Sequence, residues 1–231
     1  MPSLTVENYC KAVWQLGSKT PDGWVATGQL AGLLNVAPGT VTSMLKTLAE
    51  TELAEYRPYA GVRLSDTGRT LALRVLRRHR LVEQFLVQTL GFRWDEVHAE
   101  AENLEHAFSD VVIDRIDSFL GFPRFDPHGD PIPTAEGCLP GSSSCTPLTA
   151  SRLGQTVRIV RVLNQDAEFL RFLTAAGLHL GTDLQIVSHN DKSMTAHHDG
   201  QQTELERSVA QQILVETVAR PLSERRGEES D

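Results

Sequence analysis

Four side chains that can bind a metal ion lie close together in residues 96–106, EVHAEAENLEH. They are His98, Glu102, Glu105 and His106. If this stretch is an α-helix, a rotation of about 100° per residue places all four on one stripe roughly 100° wide. Two imidazoles and two carboxylates on one stripe can converge on a divalent cation, but a solvated acidic helix can show the same spacing by chance. The stretch alone therefore leaves both interpretations open.

A second pair of possible ligands lies upstream in residues 66–90, whose apolar spacing predicts one long amphipathic helix. His79 and Glu83 are four positions apart in it, so their side chains share one face. The simpler interpretation of this pair is a surface ion pair worth at most ~0.5 kcal/mol. The same helix is basic through its arginines Arg74, Arg77, Arg78 and Arg80.

Charge is divided unevenly along the chain, which has 231 residues and a formal net charge of −8. Residues 1–93 hold 11 Lys and Arg against 7 Asp and Glu, whereas residues 94–231 hold 11 against 23. A basic first part followed by an acidic remainder predicts that only the first part meets a polyanion such as DNA.

Hydropathy and cysteine usage restrict the class of protein. No run approaches the ~18 apolar residues of a membrane helix, and the N-terminus lacks the basic start and apolar core of a signal peptide. A cytoplasmic protein is therefore expected. The cysteines Cys10, Cys138 and Cys145 are odd in number and irregularly spaced, which is the pattern of neither a disulfide framework nor a zinc motif.

Residues 27–64 contain the elements that would present the basic part to DNA. Two short helical patterns, one with Leu30, Ala31, Leu33 and Leu34 and one with Val41, Met44, Leu45 and Leu48, flank the segment NVAPG. The following AEYRPYAGVRLSDTGR is typical of two short strands about a YAG turn. Helix, turn, helix and hairpin is the order of a winged helix, although packing-only helical domains share its first part. The DNA contacts predicted from this order are Thr27, Pro38, Gly39, Thr40, Thr42, Ser43, Lys46, Arg57 and Arg63.

Residues 108–121 place their apolar side chains on one broad helical face, which predicts pairing with a second copy of the chain. A dimer of this kind reads a pseudo-palindromic DNA site. After a Gly, Ser, Pro and Thr-rich segment, the pattern from about residue 154 becomes mainly that of strands, with a hairpin signal at Asp199–Gly200. A small β-domain is expected there, and His197 and His198 should face opposite sides of one strand.

Taken in order, these features resemble the diphtheria toxin repressor family of metal-dependent transcription regulators, which includes iron-dependent regulators and manganese transport regulators. The matching sequence segments are ENY, LSDTGR, RRHRLVEQFL, VHAEAENLEH, PHGDPIP and VRIV, and they span nearly the whole chain. The resemblance implies a mainly α fold with a small β part. The implied domains are a winged helix-turn-helix DNA-binding domain at 1–65, a helical metal-binding and dimerisation domain at 66–132, a flexible linker at 133–152 and an SH3-like β-barrel at 153–222.

The resemblance also implies ligands, position by position. Glu102, Glu105 and His106 match the family's central metal-binding motif, which a side chain at position 8, here Asn8, normally completes. A second site is matched by His79, Glu83 and His98. Linker and SH3-like residues assist that site in longer manganese-type members, which makes Asp126, His128 and Asp166 (or Glu168 in its place) further candidates.

Two positions near the N-terminus depart from the family pattern. Manganese regulators usually carry Asp and iron regulators Met where this chain has Asn8, and small manganese regulators carry Glu where it has Lys11. An amide oxygen is a weaker ligand for a divalent ion than a carboxylate. Either the central site is therefore weaker, or Glu7 or Cys10 contributes to it, or the other sites carry more of the response.

Carboxylate oxygens with imidazole favour Mn²⁺ as the effector, with Fe²⁺ as its rival. The implied function is a repressor of metal-transport genes, whose partners are double-stranded promoter DNA and a second copy of the chain, with no membrane and no small-molecule substrate. One rival is a winged-helix regulator that answers to a partner protein and holds only structural metals. The other is a metal-dependent hydrolase, but no Gly-rich phosphate loop or nucleophile motif is present, so no enzymatic activity is expected.

Overall fold

The computed structural model describes residues 3–141 and 144–218, which contain eight α-helices and eight β-strands. The predicted linker positions 142–143 and the 219–222 end of the predicted SH3-like range lie outside the described residues. The chain divides into two compact units. The first comprises the described residues of Met1–Leu90, Ala99–Arg124 and Pro131–Pro140, and the second those of Gly91–His98, Phe125–Asp130 and Gly141–Asp231.

The N-terminal part of the first unit is the predicted winged helix. Its elements are α1 (Leu4–Gly17), α2 (Thr27–Leu34), α3 (Pro38–Glu50), β1 (Ala54–Arg57) and β2 (Gly61–Leu64). α2 ends because Asn35 adopts the left-handed conformation, with a φ of 52°. α3 begins with Pro38, whose missing N–H needs no partner in the first turn of a helix. β1 and β2 pair antiparallel as the wing.

One apolar core joins the three N-terminal helices. Cys10 and Val13 of α1, Leu30 of α2 and Leu45 of α3 are all buried in it. Burial of an apolar side chain of the Val or Leu type stabilises a fold by about 1.5–3 kcal/mol, so this shared core holds α1 firmly against the helix-turn-helix. A change in the position of α1 is therefore expected to move α2 and α3 as well.

Three helices follow the wing, namely α4 (Asp66–Leu90), α5 (Val97–Leu104) and α6 (Asp110–Phe119). The bounds of α4 are those predicted from the sequence. Its first turn packs so tightly on the preceding loop that a Cβ at Gly68 would lie 1.9 Å from the carbonyl oxygen of Leu53. Glycine at this position therefore allows the long helix to start directly beside the winged helix.

Ion pairs with acids of α6 account for three of the four arginines noted in the basic helix. Arg74 and Arg78 both bind the carboxylate of Asp110, and Arg77 binds Asp117 at 2.8 Å. The hydrogen bonds from Arg78 lower the pKa of Asp110 even though partial burial acts in the opposite direction. These pairs fix the inner face of α6 against α4.

The outer face of α6 is apolar and exposed. Ile113 and Ile116 are buried, but Val111 is 70% exposed and Phe119 is 69% exposed. Phe122, which follows the helix, is 68% exposed. The face that the sequence predicts for pairing with a second copy is thus presented to solvent by a single chain.

α5 ends earlier than the sequence predicts. Glu105 and His106 lie in the turn after Leu104 and not on one continuous helical stripe with His98 and Glu102. Ser109 caps α6 by accepting a hydrogen bond from the N–H of Val112, so the chain must leave the axis of α5 within a few residues. The turn stays compact because the N–H of Glu105 donates to the carbonyl of Ala101 at 2.9 Å.

The second unit contains the predicted β-domain. Its elements are β3 (Thr146–Pro147), β4 (Thr156–Val162), α7 (Ala167–Ala175), β5 (Asp183–His189), β6 (Ser193–His198), β7 (Gln201–Glu206), α8 (Arg207–Ala210) and β8 (Ile213–Thr217). The strands form one antiparallel sheet in the order β3-β8-β4-β5-β6-β7. β6 and β7 form the predicted hairpin, in which His197 is exposed and His198 is buried on the opposite face.

Part of the predicted flexible linker is instead structured. Residues 146–150 contribute β3 and one 3₁₀ turn, and Leu148 is fully buried in the core of the β-domain. Burial of this leucine and the pairing of β3 with β8 stabilise the ordered segment against the conformational entropy that its ordering costs. The β-domain thus begins before residue 153.

Among the helices within the described ranges, none is both long enough and apolar enough to cross a lipid bilayer.

Candidate DNA-binding surface and metal centre

The predicted DNA contacts of the helix-turn-helix lie beside the wing. Pro38, Gly39, Thr40, Ser43 and Lys46 are exposed, and Thr27 and Thr42 are half-buried. Thr27, Thr42 and Lys46 line one groove together with Tyr56, Pro58, Tyr59, Ala60 and Gly61 of the wing. Side chains in such a groove between the second helix and the wing can reach phosphates and base edges.

The two predicted wing arginines form a cluster with residues that the sequence analysis missed. The side chains of Arg57 and Arg63 lie over the ring of Trp24, with guanidinium carbons 4.7 Å and 5.2 Å from its centroid. Both also donate to the carboxylate of Glu55, at 2.6 Å and 2.8 Å. These hydrogen bonds, led by that from Arg57, lower the pKa of Glu55. Alternation in β1 places Glu55 on the same face as Arg57, which was the available signal for this pairing.

α1 meets the turn after α5 through His106. Its Nδ1 lies 2.8 Å from a carboxylate oxygen of Glu7, and its Nε2 lies 2.8 Å from the amide oxygen of Asn8. Nε2 is also 3.1 Å from Glu105. The predicted association of His106 with position 8 is therefore present, and Glu7 joins it, which was one of the alternatives left open by the sequence.

Lys11 occupies the place next to the remaining two carboxylates of the predicted central site. Its ammonium lies 2.7 Å from Glu102 Oε1, 2.8 Å from Glu105 Oε1 and 3.0 Å from Glu105 Oε2. Glu105 is fully buried, whereas the side chain of Glu102 is 39% exposed. The substitution noted at position 11 thus places a positive charge directly on two predicted metal ligands.

His79 links this cluster to α4. Its Nδ1 lies 2.7 Å from Glu105 and its Nε2 lies 3.0 Å from Glu83, so the predicted pair His79 and Glu83 is in contact and shielded from solvent. Burial lowers the pKa of His79, but the charge of Glu83 and the hydrogen bonds with Glu105 and Glu83 outweigh burial and raise the pKa to about 9. For Glu105 burial acts in the opposite direction and raises the pKa. Its hydrogen bond with His79 and the charge of Lys11 nevertheless hold that pKa below the usual range.

The donor set in this part of the first unit fits a divalent cation. His79, Glu102 and Glu105 offer ligand atoms that all lie within 4.8 Å of one another. Ligand bonds of about 2.1 Å to a metal ion place opposite donors about 4 Å apart, so only a small contraction is needed. His79 therefore lies with Glu102 and Glu105 as well as with Glu83, its partner in the sequence-based division. Carboxylate oxygens with one imidazole suit the harder divalent ions.

Cys10 was another alternative ligand from α1. It is fully buried in the apolar core shared with α2 and α3, and burial, assisted by the charge of Glu7, raises the pKa of its thiol to about 12. A thiolate is the form that binds metals. The position of Cys10 therefore favours a packing role.

The other predicted ligands belong to the second unit. His98 is exposed in the first turn of α5, whereas Asp126 and His128 are buried. Asp126 Oδ1 accepts from the backbone N–H groups of His128 and Asp130, both at 2.9 Å. His128 Nε2 lies 2.8 Å from the carbonyl of Trp94, and its ring stacks on that indole. These contacts give Asp126 and His128 a structural role in the turn, and their role as ligands stays a prediction.

Asp166 precedes α7 and is exposed, as is Glu168. Both line a groove on the β-domain together with Phe172, Glu204 and Glu206. In residues 3–141 and 144–218, neither acid belongs to a group of three or more closely spaced His, Cys, Asp or Glu ligand atoms. Their part in a metal site remains a prediction from the resemblance.

Comparison with known protein families matches three consecutive parts of the chain. Residues 1–62 match "Iron dependent repressor, N-terminal DNA binding domain" and residues 65–134 match "Iron dependent repressor, metal binding and dimerisation domain". Residues 146–217 match the FeoA domain. The three matches agree with the predicted order of winged helix, helical domain and small SH3-like domain.

Individual relatives are similar over nearly the whole chain. The diphtheria toxin repressor of Corynebacterium glutamicum is 28% identical over 224 residues, covering 93% of this chain and 96% of that protein. Among solved structures, a manganese-dependent transcriptional repressor in complex with manganese is 38% identical with a TM-score of 0.83, over 92% of this chain and all of the other. ScaR with bound Zn²⁺ is 34% identical with a TM-score of 0.76, over 94% of this chain and all of the other.

Proposed function

Because this chain belongs to the diphtheria toxin repressor family of metal-dependent transcription regulators, we propose that Mn²⁺ is the ion to which it responds, with Fe²⁺ as the rival. The oxygen-rich donor set with imidazole supports a hard or borderline divalent ion. Manganese in a similar solved structure supports the same choice. The regulated genes would be those of manganese or iron transport, and the protein would act in the cytoplasm as a repressor.

The observation that carries this proposal is the convergence of α1, α4 and the turn after α5 on one buried polar cluster. We assign the central site to Glu102, Glu105 and His106 with Asn8, and the contacts of His79 and Glu7 support their inclusion. A divalent cation bound here neutralises the carboxylates and thereby favours the packing of α1 on this turn. His79, Glu83 and His98, assisted by Asp126, His128 and Asp166, remain the proposed second site.

The fold offers a direct path from the cluster to DNA. One face of α1 contributes Glu7, Asn8 and Lys11 to the cluster, and the other contributes Cys10 and Val13 to the core shared with α2 and α3. Metal binding therefore biases the position of the helix-turn-helix through α1. Coupling between two such sites is typically worth ~1–3 kcal/mol.

DNA binding is proposed to use a homodimer. Exposed Val111 and Phe119 on α6 support an apolar contact between two copies. Two winged helices related by a two-fold axis would then read the two halves of a promoter site, with α3 in the major groove and the wing on the backbone. Enzymatic activity forms no part of this proposal.

The test is a DNA-binding titration of the full chain on a promoter fragment, with Mn²⁺ and with chelator. Mn²⁺ should tighten binding by about 5–150-fold, the range expected for allosteric coupling. The double substitution Glu105→Ala and His106→Ala should abolish this response and leave the circular dichroism spectrum unchanged. Equal affinity of the wild type with Mn²⁺ and with chelator would contradict the metal switch and favour control by a protein partner.

A further inference from the structure

Lys11 is a buried lysine whose charge is directed at the proposed metal ligands. Its side chain is 8% exposed, and its ammonium contacts both oxygens of Glu105 and one of Glu102 at 2.7–3.0 Å. These are the distances of charge-assisted hydrogen bonds. The carboxylates of Glu102 and Glu105 thus form a cation-binding site that the ammonium of Lys11 occupies.

The ammonium and a divalent ion would compete for the same oxygens. A metal ion bonded to Glu102 and Glu105 lies about 2.1 Å from one oxygen of each. With the ammonium already 2.7 Å and 2.8 Å from Glu102 Oε1 and Glu105 Oε1, the two cations would lie too close together for both to stay. Their mutual repulsion would be strong in a partly buried site, because the effective dielectric constant there is low.

The surroundings allow the lysine to leave. Glu102 lies on the solvent-exposed side of the cluster, with 39% of its side chain exposed, whereas Glu105 is completely buried. The four-carbon stem of a lysine is flexible, so we expect the ammonium to turn past Glu102 toward solvent. An ion that replaces it finds the same carboxylates already gathered.

We propose that Lys11 is a tethered competitor of the metal ion, which holds Glu102 and Glu105 until a divalent cation displaces its ammonium. This inference rests on the proposed function of the cluster as a metal site. In the metal-free protein Lys11 joins α1 to the turn after α5, and the strength of its ion pairs sets the metal concentration at which the protein responds. The lysine thus raises the threshold of the switch.

The first test measures Mn²⁺ binding by titration calorimetry for the wild type, Lys11→Met and the charge-matched control Lys19→Met. Methionine keeps much of the length of the lysine stem without its charge, and Lys19 is exposed beyond the end of α1. Lys11→Met should tighten Mn²⁺ binding on the order of tenfold or more, since it removes one closely placed competing charge. Lys19→Met should match the wild type. Unchanged or weaker binding by Lys11→Met would overturn the proposal.

A second test uses the wild type and therefore does not depend on the folding of a variant. Reductive methylation with formaldehyde and borohydride, followed by mass spectrometry, reports how accessible each lysine is. With chelator Lys11 should stay protected while Lys19 and Lys46 react, and with saturating Mn²⁺ its labelling should rise several-fold. Continued protection of Lys11 in the presence of bound Mn²⁺ contradicts displacement.

The two hypotheses fail in different ways. If Glu105→Ala with His106→Ala leaves the Mn²⁺ isotherm of the wild type unchanged, the cluster is not the metal site and the proposed function of the cluster fails. If that double variant loses Mn²⁺ but Lys11→Met binds it no more tightly than wild type, the metal site stands and only the competition by Lys11 is refuted.

Discussion

Arg63 is a wing side chain for which a contact with a DNA phosphate is proposed. The guanidinium of Arg63 packs over the ring of Trp24 and donates to the carboxylate of Glu55, so less conformational freedom would be lost on binding DNA. Arg63→Ala should weaken binding about equally on a promoter fragment and on unrelated DNA, because a phosphate contact carries no sequence information. The slope of log K against log salt should become shallower by about one.

Arg152→Ala is the matched control for this measurement, since Arg152 is an exposed arginine of the β-domain. It removes the same charge from the chain without touching the wing. If both variants change the salt slope equally, the effect of Arg63 is one of net charge and the proposed wing contact is wrong.

Cys10 permits a second prediction at the scale of one residue. It is fully buried and its thiol pKa is raised to about 12, whereas Cys138 is exposed. At pH 8 the native protein should therefore react with a thiol reagent at Cys138 and leave Cys10 unmodified, because the thiolate is the reactive form. Cys10 should become reactive only in denaturant. Mass spectrometry of the labelled peptides measures this, and rapid native labelling of Cys10 would refute its place in the core.

At the scale of elements, the outer face of α6 is the feature with the clearest consequence. Val111 is 70% exposed on a helix whose inner face is held by arginines of α4. Val111→Glu should leave the monomer folded but place a charge in the proposed dimer contact, where an unpaired buried charge is strongly unfavourable. We expect dissociation to monomers in sedimentation velocity and weaker binding to promoter DNA.

Val187→Glu is the corresponding control, since Val187 is a valine of β5 that is 40% exposed in the β-domain. It should leave both the sedimentation coefficient and the DNA affinity unchanged. A Val111→Glu protein that remains dimeric would remove α6 from the interface.

The elements themselves were largely predictable because their signals are local. Asp66 and Gly91 bracket the basic helix, and Asp199–Gly200 marks the hairpin of β6 and β7. The end of α5 was less predictable, since the cap at Ser109 that forces the chain away from the helix axis competes with good helical spacing through His106. The helical period indicates which face a residue occupies, but not how far the helix continues.

The partners within the candidate site could be predicted only in part. Helical spacing indicates that Glu102 and Glu105 can share a face, and the resemblance supplies position 8 as a partner of His106. Neither shows that Lys11, more than ninety positions away, lies on Glu102 and Glu105, because that contact depends on how α1 packs in three dimensions. Leu148 was hidden for a related reason, since its Thr, Pro and Ser neighbours are typical of a linker.

For the molecule as a whole, the decisive feature is that its two units contain separate apolar cores. One surrounds Leu45 in the winged helix, and the other surrounds Leu148 in the β-domain. A cavity left by Leu→Ala in a packed core typically costs about 2–5 kcal/mol. In calorimetry of the full chain, Leu148→Ala should therefore lower the melting temperature of one transition and Leu45→Ala that of another.

Leu153→Ala serves as the control for Leu148→Ala, because Leu153 lies in the same domain but is 65% exposed. Its removal should change the free energy of unfolding by roughly 0.5 kcal/mol or less, as for most surface substitutions. If instead Leu148→Ala and Leu153→Ala destabilise the β-domain equally, Leu148 is not part of its core and residues 146–150 behave as the linker that the sequence predicts. If both core substitutions shift a single transition together, the two units unfold as one cooperative body despite their separate cores.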